Sequence, residues 1–404
     1  MSSQAKKILL ITDVPPNAKY SGGLLTLRLA EGLGSSKVYG FYVVADALNG
    51  VKSELPDHIE IGAKYFRKPP ERSLRGLHLG WHRLSFIGAA AREFYRKFWQ
   101  CQRLKRQVEK VTKEQSIDKI WIILQGQTMI WLAEALIKSG KTPVHVQYWD
   151  PPAWWIRANS IDRISAFFIW KSFRFCLSNG ERTATPSFSA SNVDWLNSKK
   201  KTYPLIGMMS ADWNESPAAL SPDKPIRIGI AGQLYAVDAI LAFIASLQSL
   251  DWKIFGRPVE LHYWGSSYEA RIEPHIIHHN HVTQLELNAQ LQECEILYCP
   301  YWFDPVFRKE CETSFPSKLV SYIVAGRLVF FHGPNYSGPA QMLLDHDAGV
   351  VCESPLVESI KYYLRSIYLD PDGTARKIKN ASRLYKQLLS REVIAENFRE
   401  FLDV

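Results

Sequence analysis

The chain has 404 residues, 46% of them hydrophobic, 22% charged and 12% aromatic, with 49 basic against 40 acidic side chains. That is the composition of a globular protein with two or three domains at about 150 residues each, and it excludes a disordered chain, a collagen-like fibre and a small disulfide scaffold. The charge is uneven: between Lys64 and Arg106 twelve basic residues stand against two acids, Glu71 and Glu93, so this segment carries +10 of a net +9 and the remainder sums to −1.

The opening residues run into a short apolar strand, Ile8 to Ile11, that stops at Asp13 and Pro15-Pro16. Four apolar residues are too few for the apolar region of a signal peptide. Ile161 to Leu177 is interrupted by Asp162, Arg163, Lys171 and Arg174, and no stretch approaches the ~18 apolar residues of a membrane span. Six cysteines (Cys101, Cys176, Cys294, Cys299, Cys311, Cys352) are scattered without a C-x-x-C pair, as in a reducing compartment. A cytoplasmic protein is expected.

Further strands are expected at Val38 to Val44, Ile120 to Leu124, Val144 to Gln147 and Arg182 to Thr185. Helical spacing lies between them, as in Leu24, Leu27, Leu29, Leu33 and again in Ile130, Leu132, Leu136, Ile137. Such alternation of strand and helix implies parallel sheets covered on both faces. The segment Ser210 to Pro225, with Pro217, Pro222 and Pro225, reads as a domain connection. The pattern then restarts at Ile226 and continues through Val259 to Trp264, Glu295 to Cys299, Leu328 to Phe331 and Gly349 to Val351. Leu384, Leu388, Leu389, Ile394, Phe398 and Phe401 mark one or two closing helices. The expected layout is a Rossmann-like domain over 1–210, a linker over 211–225, a second Rossmann-like domain over 226–375 and closing helices over 376–404.

Open parallel sheets bind ligands at the carboxyl ends of their strands. In the first half, Ser21-Gly22-Gly23 precedes a helix, where glycine lets a ligand approach the backbone and the helix N-terminus favours an anion. A plain helix-entry turn accounts for the same residues equally well. In the second half, Phe315-Pro316-Ser317-Lys318-Leu319 opens a helix that ends at Gly326 and runs into an apolar strand. Proline suits the first helical position, and the N–H groups of Ser317, Lys318 and Leu319, with a hydroxyl and an ammonium, would converge on one point. That is a diphosphate site in outline.

Phe-Pro-Ser-Lys-Leu followed by Ala-Gly-Arg and a strand resembles the nucleotide-sugar site of retaining GT-B glycosyltransferases, in the large family that often carries E-x7-E here. Counting back from Gly326, the two glutamate positions fall on Thr313 and Ser321. The resemblance leaves Ser321 to hydrogen-bond a ribose hydroxyl, and Glu310 or Glu312 to stand in for the first acid. Gln147-Tyr-Trp-Asp150-Pro-Pro resembles the strand end that faces the family's cleft, and 187–196 resembles the stretch before its interdomain crossing. Where the family often places Arg and Lys after the first strand of the second half, Gly232 to Asp238 holds neither, which leaves Lys318, Arg308 and Lys309 to supply that charge.

The resemblance implies a GT-B architecture, with two Rossmann-like doubly wound domains facing across a cleft and the acceptor held by the first. It implies transfer of a sugar from a nucleotide-diphosphate sugar to a glycan or lipid-linked acceptor with retention, without an obligatory metal or other cofactor, as in cell-surface polysaccharide synthesis. Donor contacts would come from Gly22, Gly23, Gly232, Arg308, Phe315, Pro316, Ser317, Lys318, Leu319 and Ser321, and catalytic groups from Glu312 and Asp150. Asp150 before two prolines equally suits a turn.

Other signals are weaker. Asp345-His-Asp347 matches a metal-binding D-x-D but reads as a surface turn. His275, His278, His279 and His281 lack a Cys or acid at ligand spacing and read as a solvated loop. A nicotinamide oxidoreductase is disfavoured because Leu234 and Val237 occupy glycine positions of G-x-G-x-x-G. A non-catalytic GT-B binding or scaffold protein fits the missing acids at Thr313 and Ser321. Aromatic residues interleaved with the basic segment suit an anionic membrane surface on the cytoplasmic side, contacted through Arg92, Arg96 and Lys97, or a solvated helix over a core. No recognition motif for nucleic acid accompanies the charge.

Overall fold

The computed structural model describes residues 5–71, 85–188, 201–206, 223–265, 274–280 and 282–404, with backbone alone at 85–87, 89 and 90. Most of the 211–225 connection, residues 189–196, and Arg72, Arg75, Arg83 and His281 lie outside the described residues. The chain divides into two units, Met1–Leu205 with Ile394–Val404, and Ile206–Val393.

Unit 1 is built on strands β1 (Lys7–Thr12), β2 (Lys37–Val44), β3 (Glu60–Arg67), β4 (Lys119–Ile123), β5 (Val144–Gln147), β6 (Thr183–Thr185) and β7 (Thr202–Pro204). Their order is β3-β2-β1-β4-β5-β6-β7, and every pairing is parallel. The run Ile8 to Ile11 is wholly buried because helices cover both faces of the sheet, which is why it reads as continuously apolar instead of alternating. The expected strand starting at Ile120 begins one residue earlier. Strands β3 and β7 add to the expected set; β3 is an edge strand whose charged residues, Glu60, Lys64 and Arg67, hid its alternation.

The helices of this unit are α1 (Ser21–Glu31), α2 (Ser85–Tyr95), α3 (Cys101–Gln115), α4 (Gly126–Ser139), α5 (Ala153–Ala158) and α6 (Arg163–Asn179). A π-helical turn, Arg96–Gln100, joins α2 to α3. Cys101, Leu104, Val108 and Val111 recur at three- and four-residue intervals and turn one face of α3 into the core. Helix α6 starts at Asp162, whose carboxylate accepts from the N–H groups of Ile164 and Ser165 at 3.0 and 2.9 Å.

Unit 2 repeats the plan with β8 (Ile226–Ala231), β9 (Lys253–Ile254), β10 (Arg257–Trp264), β11 (Ile276–His279), β12 (Ile296–Pro300), β13 (Leu328–His332) and β14 (Val350–Cys352). The order β11-β10-β8-β12-β13-β14 is parallel throughout, and the two-residue β9 pairs antiparallel with β10. Its helices are α7 (Val237–Gln248), α8 (Gln284–Leu291), α9 (Arg308–Thr313), α10 (Ser317–Val324), α11 (Gly338–Asp345), α12 (Val357–Leu369) and α13 (Pro371–Leu384). Of the histidines expected in a loop, His278 and His279 instead lie in the edge strand β11, where Ile276 and Ile277 pair with Leu261 and His262. Isoleucine at two consecutive positions is the strand signal that the neighbouring imidazoles obscured.

The expected closing stretch divides between the units. Helix α13 stays in unit 2, whereas α14 (Arg391–Leu402) packs on unit 1. There Phe398 meets Trp121 edge-on at 4.7 Å, Phe401 meets His145 at 5.5 Å, and the Lys119 ammonium donates to Leu402 O at 2.8 Å.

Candidate functional site

In each sheet the strand order reverses beside the first strand, between β1 and β4 in unit 1 and between β8 and β12 in unit 2. Crevices at such switch points, beyond the carboxyl ends of the strands, are where doubly wound folds take ligands. The two crevices differ in what fills them.

In unit 2, β8 ends at Ala231 and the chain turns at Gly232, whose φ of +81° is one that side-chain-bearing residues rarely adopt. The turn is held by the Gly232 N–H to Trp264 O at 2.7 Å, and by the Tyr322 hydroxyl accepting from the Ala231 N–H at 2.7 Å. Tyr322 belongs to α10, so this bond ties that helix to the end of β8. Residues Leu319 to Val324 are all buried, leaving Ser317 and Lys318 as the accessible part of α10.

The Lys318 ammonium donates to Gln233 O at 3.0 Å and sits 4.7 Å from the centroid of the Tyr235 ring. Burial pulls its pKa down to about 8, with no carboxylate among the described residues beside it to restore the charge. Trp302, just beyond β12, stacks near Tyr235 at 4.5 Å and donates its indole N–H to Tyr235 O at 3.0 Å. Phe307 extends the stack at 5.1 Å from Trp302. Gly232, Tyr235, Trp302 and Lys318 therefore meet at one switch point, forming a cationic, aromatic-walled corner suited to an anion with an attached ring. Tyr235 and Trp302 were not singled out in the sequence; a tyrosine three residues after the β8 glycine is their only trace there.

The helix begins one residue later than expected. Pro316 is the N-cap, with extended dihedrals, and Ser317 is the first helical residue. The Leu319 N–H, expected to be free, donates to Pro316 O at 2.9 Å. Gly326, at φ +70°, follows the C-cap Ala325 as the sequence implied.

Arg308 and Glu312 are bonded to each other, at 2.8 Å, with the guanidinium also over the Tyr336 ring at 4.7 Å. Glu310 is buried in α9. At the two positions where the family often has glutamate, Thr313 is buried and donates its hydroxyl to Lys309 O at 2.8 Å, and Ser321 is buried on α10. Phe315 is half-buried beside the Pro316 cap.

In unit 1, Gly22 and Gly23 open α1 and are explained by packing. A Cβ on Gly22 would lie 2.6 Å from the Trp149 ring, and one on Gly23 would lie 2.8 Å from Pro15 O. The preceding loop is held by Asn17, whose side-chain oxygen accepts from the N–H groups of Lys19 and Tyr20 at 2.9 and 3.0 Å. Asp150 is half-buried after β5, next to Pro151 and Pro152, and its charge adds to the burial that raises the Tyr148 hydroxyl pKa.

The unit 1 switch point is filled by its own side chains, a feature absent from the sequence reading. Lys68, directly after β3, bonds Asp13 after β1 at 2.8 Å, Glu71 at 3.0 Å, and Gln125 O after β4 at 3.2 Å. Glu71 in turn accepts from the Thr128 N–H at 2.8 Å, at the start of α4. Burial raises the pKa of Asp13, and the two carboxylates raise that of Lys68 despite its burial. The signal available in sequence was an acid after β1 and a lysine after β3, but Lys68 was counted only as part of the basic segment.

That segment is largely neutralised. Lys64 pairs with Glu114, Arg67 with Asp46, Lys97 with Glu134 and Lys105 with Glu109. Arg96 is 1% exposed, bonded to Glu93 and Pro70 O, and Arg92 also donates to Pro70 O at 2.6 Å. In the D-x-D segment, Asp347 is bonded to Arg376 at 3.0 Å and to Lys377. No helix among the described residues is long and apolar enough to cross a membrane.

The sequence matches no protein-family model and no curated protein. Solved structures match along nearly its whole length. A sucrose-phosphate synthase from Thermosynechococcus elongatus superposes with a TM-score of 0.65 at 13% identity, over 98% of each chain. Anabaena HepE in complex with UDP-glucose gives 0.61 at 13% identity, over 98% of this chain and 99% of that one. A glycosyltransferase from Rickettsia africae gives 0.60 at 12% identity, with the same coverage. At such identities the likeness is one of fold, and the fold is α/β of the GT-B glycosyltransferase type, with two parallel-sheet Rossmann-like domains.

Proposed function

We propose that the protein is a glycosyltransferase that takes a sugar from a nucleotide-diphosphate sugar and passes it, with retention, to a hydroxyl of a glycan or lipid-linked acceptor in surface-polysaccharide synthesis. The observation that carries this reading is the meeting of Lys318, Gly232 and the start of α10 at the unit 2 switch point. HepE, of the same fold, holds UDP-glucose. Loss of the sugar leaves negative charge on the departing diphosphate, and a fixed ammonium with helix-end dipoles stabilises that charge without a metal. Lys318 is assigned this role, with Gly232 and Ser317 bordering the phosphates and Glu312 orienting reacting groups.

The test is thermal. One of UDP-, GDP- or ADP-sugars is expected to raise the melting temperature, and Lys318→Ala to abolish that rise while leaving the melting temperature of the free protein within about 2 °C. Absence of a shift with every nucleotide sugar would overturn the reading.

A second reading, a non-catalytic GT-B binding or scaffold protein, is favoured by Thr313. Its hydroxyl is buried and directed to Lys309 O where the family's acid would act. Nucleotide-sugar binding without donor turnover or hydrolysis would support it.

A further inference from the structure

The helices that carry the basic segment present aromatic rings to solvent. Phe94, Tyr95, Phe98 and Trp99, at the end of α2 and in the π-helical turn, are 44% to 71% exposed, and Phe167 on α6 is 64% exposed. They form one surface. Phe94 stacks on Phe98 at 6.0 Å and meets Phe168 of α6 edge-on at 5.6 Å, and Phe168 touches Phe167 at 5.5 Å. Between the helices lies a cleft of about 100 Å³ walled by Phe94, Phe98, Trp131, Ile164 and Phe168.

The wider π turn produces this arrangement. Its extra residue per turn points Arg96 inward to Glu93 and carries Phe98 and Trp99 to the outside. The charges around the rings are of one sign. Arg163, Lys171 and Arg174 are exposed on α6, the last two on the same side as Phe167, and Arg103 and Arg106 are exposed on α3. Between residues 85 and 106 and between 153 and 179 the only acids are Glu93 and Asp162, and both are buried and bonded, Glu93 to Arg96 and Asp162 as the cap of α6.

Contiguous exposed rings of this size mark a covered surface, and Trp and Tyr beside cations, with no exposed acid in those two segments, match the headgroup region of an anionic leaflet. We propose that this face of unit 1 docks onto an anionic lipid bilayer, the rings entering the interface and Arg163, Lys171 and Arg174 meeting the headgroups. The proposal deepens the lipid-linked reading of the acceptor. Its assay contains no sugar donor, so it stands or falls apart from the transfer reaction.

The experiment is cosedimentation of the full chain with vesicles of phosphatidylcholine alone or mixed with phosphatidylglycerol, at low and high salt. Binding is expected to the mixed vesicles only, and to weaken with salt as charges are screened. Neutralising Arg163, Lys171 and Arg174 to Gln is expected to lower partitioning roughly a hundredfold, at on the order of fivefold per cation. Trp99→Ser with Phe167→Ser should lower it independently. Both variants alter exposed side chains, and both should keep the melting-temperature rise given by a nucleotide sugar. Failure of the wild-type chain to bind, equal binding by both variants, or a dimer that the aromatic variant splits without any vesicle binding would overturn the proposal.

Discussion

Lys68 holds together the ends of three strands: it is in contact with Asp13 and Glu71, and with the backbone after β4. Its side chain is only 7% exposed, so the ammonium was taken out of water for these bonds. Replacing one partner of such a set leaves the others buried and charged, which costs about 3–5 kcal/mol. Lys68→Met is therefore expected to lower the stability of unit 1 by about that amount in urea unfolding, and Asp13→Asn in the same chain to recover part of the loss. Lys318 is the contrasting case, a partly accessible ammonium with no carboxylate partner among the described residues, and a charge held only by a carbonyl and a ring is spare for a ligand. The sequence made Lys318 visible because its neighbours are a proline, a serine and a glycine at set intervals. Lys68 was invisible because two of its three partners, Asp13 and Gln125, lie 55 and 57 residues away along the chain.

Among the elements, apolar runs buried on both faces were legible: β1, β2, β5, β8 and β13 lie at or within two residues of where the sequence places them. The edge strands β3 and β11 were not, since they are half-exposed and carry the charged and imidazole side chains of surface residues. The candidate donor helix was legible to within one residue, because proline and glycine punctuate it. Helix α14 was legible as a helix but not as part of unit 1. Its spacing of Ile394, Phe398 and Phe401 announces an apolar face, and only the fold reveals Trp121 and His145 as what that face meets. Phe398→Ala should cost about 3–5 kcal/mol, and the loss should appear in the unfolding of unit 1, followed through the fluorescence of Trp121 against a Trp121→Phe control.

At the scale of the molecule, each unit keeps a neutral imidazole in its core. His145 Nδ1 lies 2.7 Å from Phe401 O, and His332 lies between the Tyr298 hydroxyl and Ser354 O at 2.8 and 3.0 Å. Burial lowers both pKa values to about 4, from 6.5. Between those two values the unfolded chain binds protons that the folded chain refuses, so stability is complete above pH 6.5 and falls as the pH drops toward 4. The loss is on the order of 2–3 kcal/mol for each ring. Urea unfolding at pH 7 and pH 4.5 should show it, and His145→Gln should shrink the difference. His145 reports on more than pH, because the carbonyl it faces belongs to the last helix. Residues 394–404 complete a sheet whose strands end by residue 204, after the chain has passed through all of unit 2. On a ribosome adding about 5–20 residues per second, the surface around Trp121 and His145 waits roughly 10–40 s for its cover. Unit 2 can close on itself before unit 1 is finished, so the half made first becomes native last, and a chain cut short before residue 394 and released would hold a folded second half and an uncapped first one.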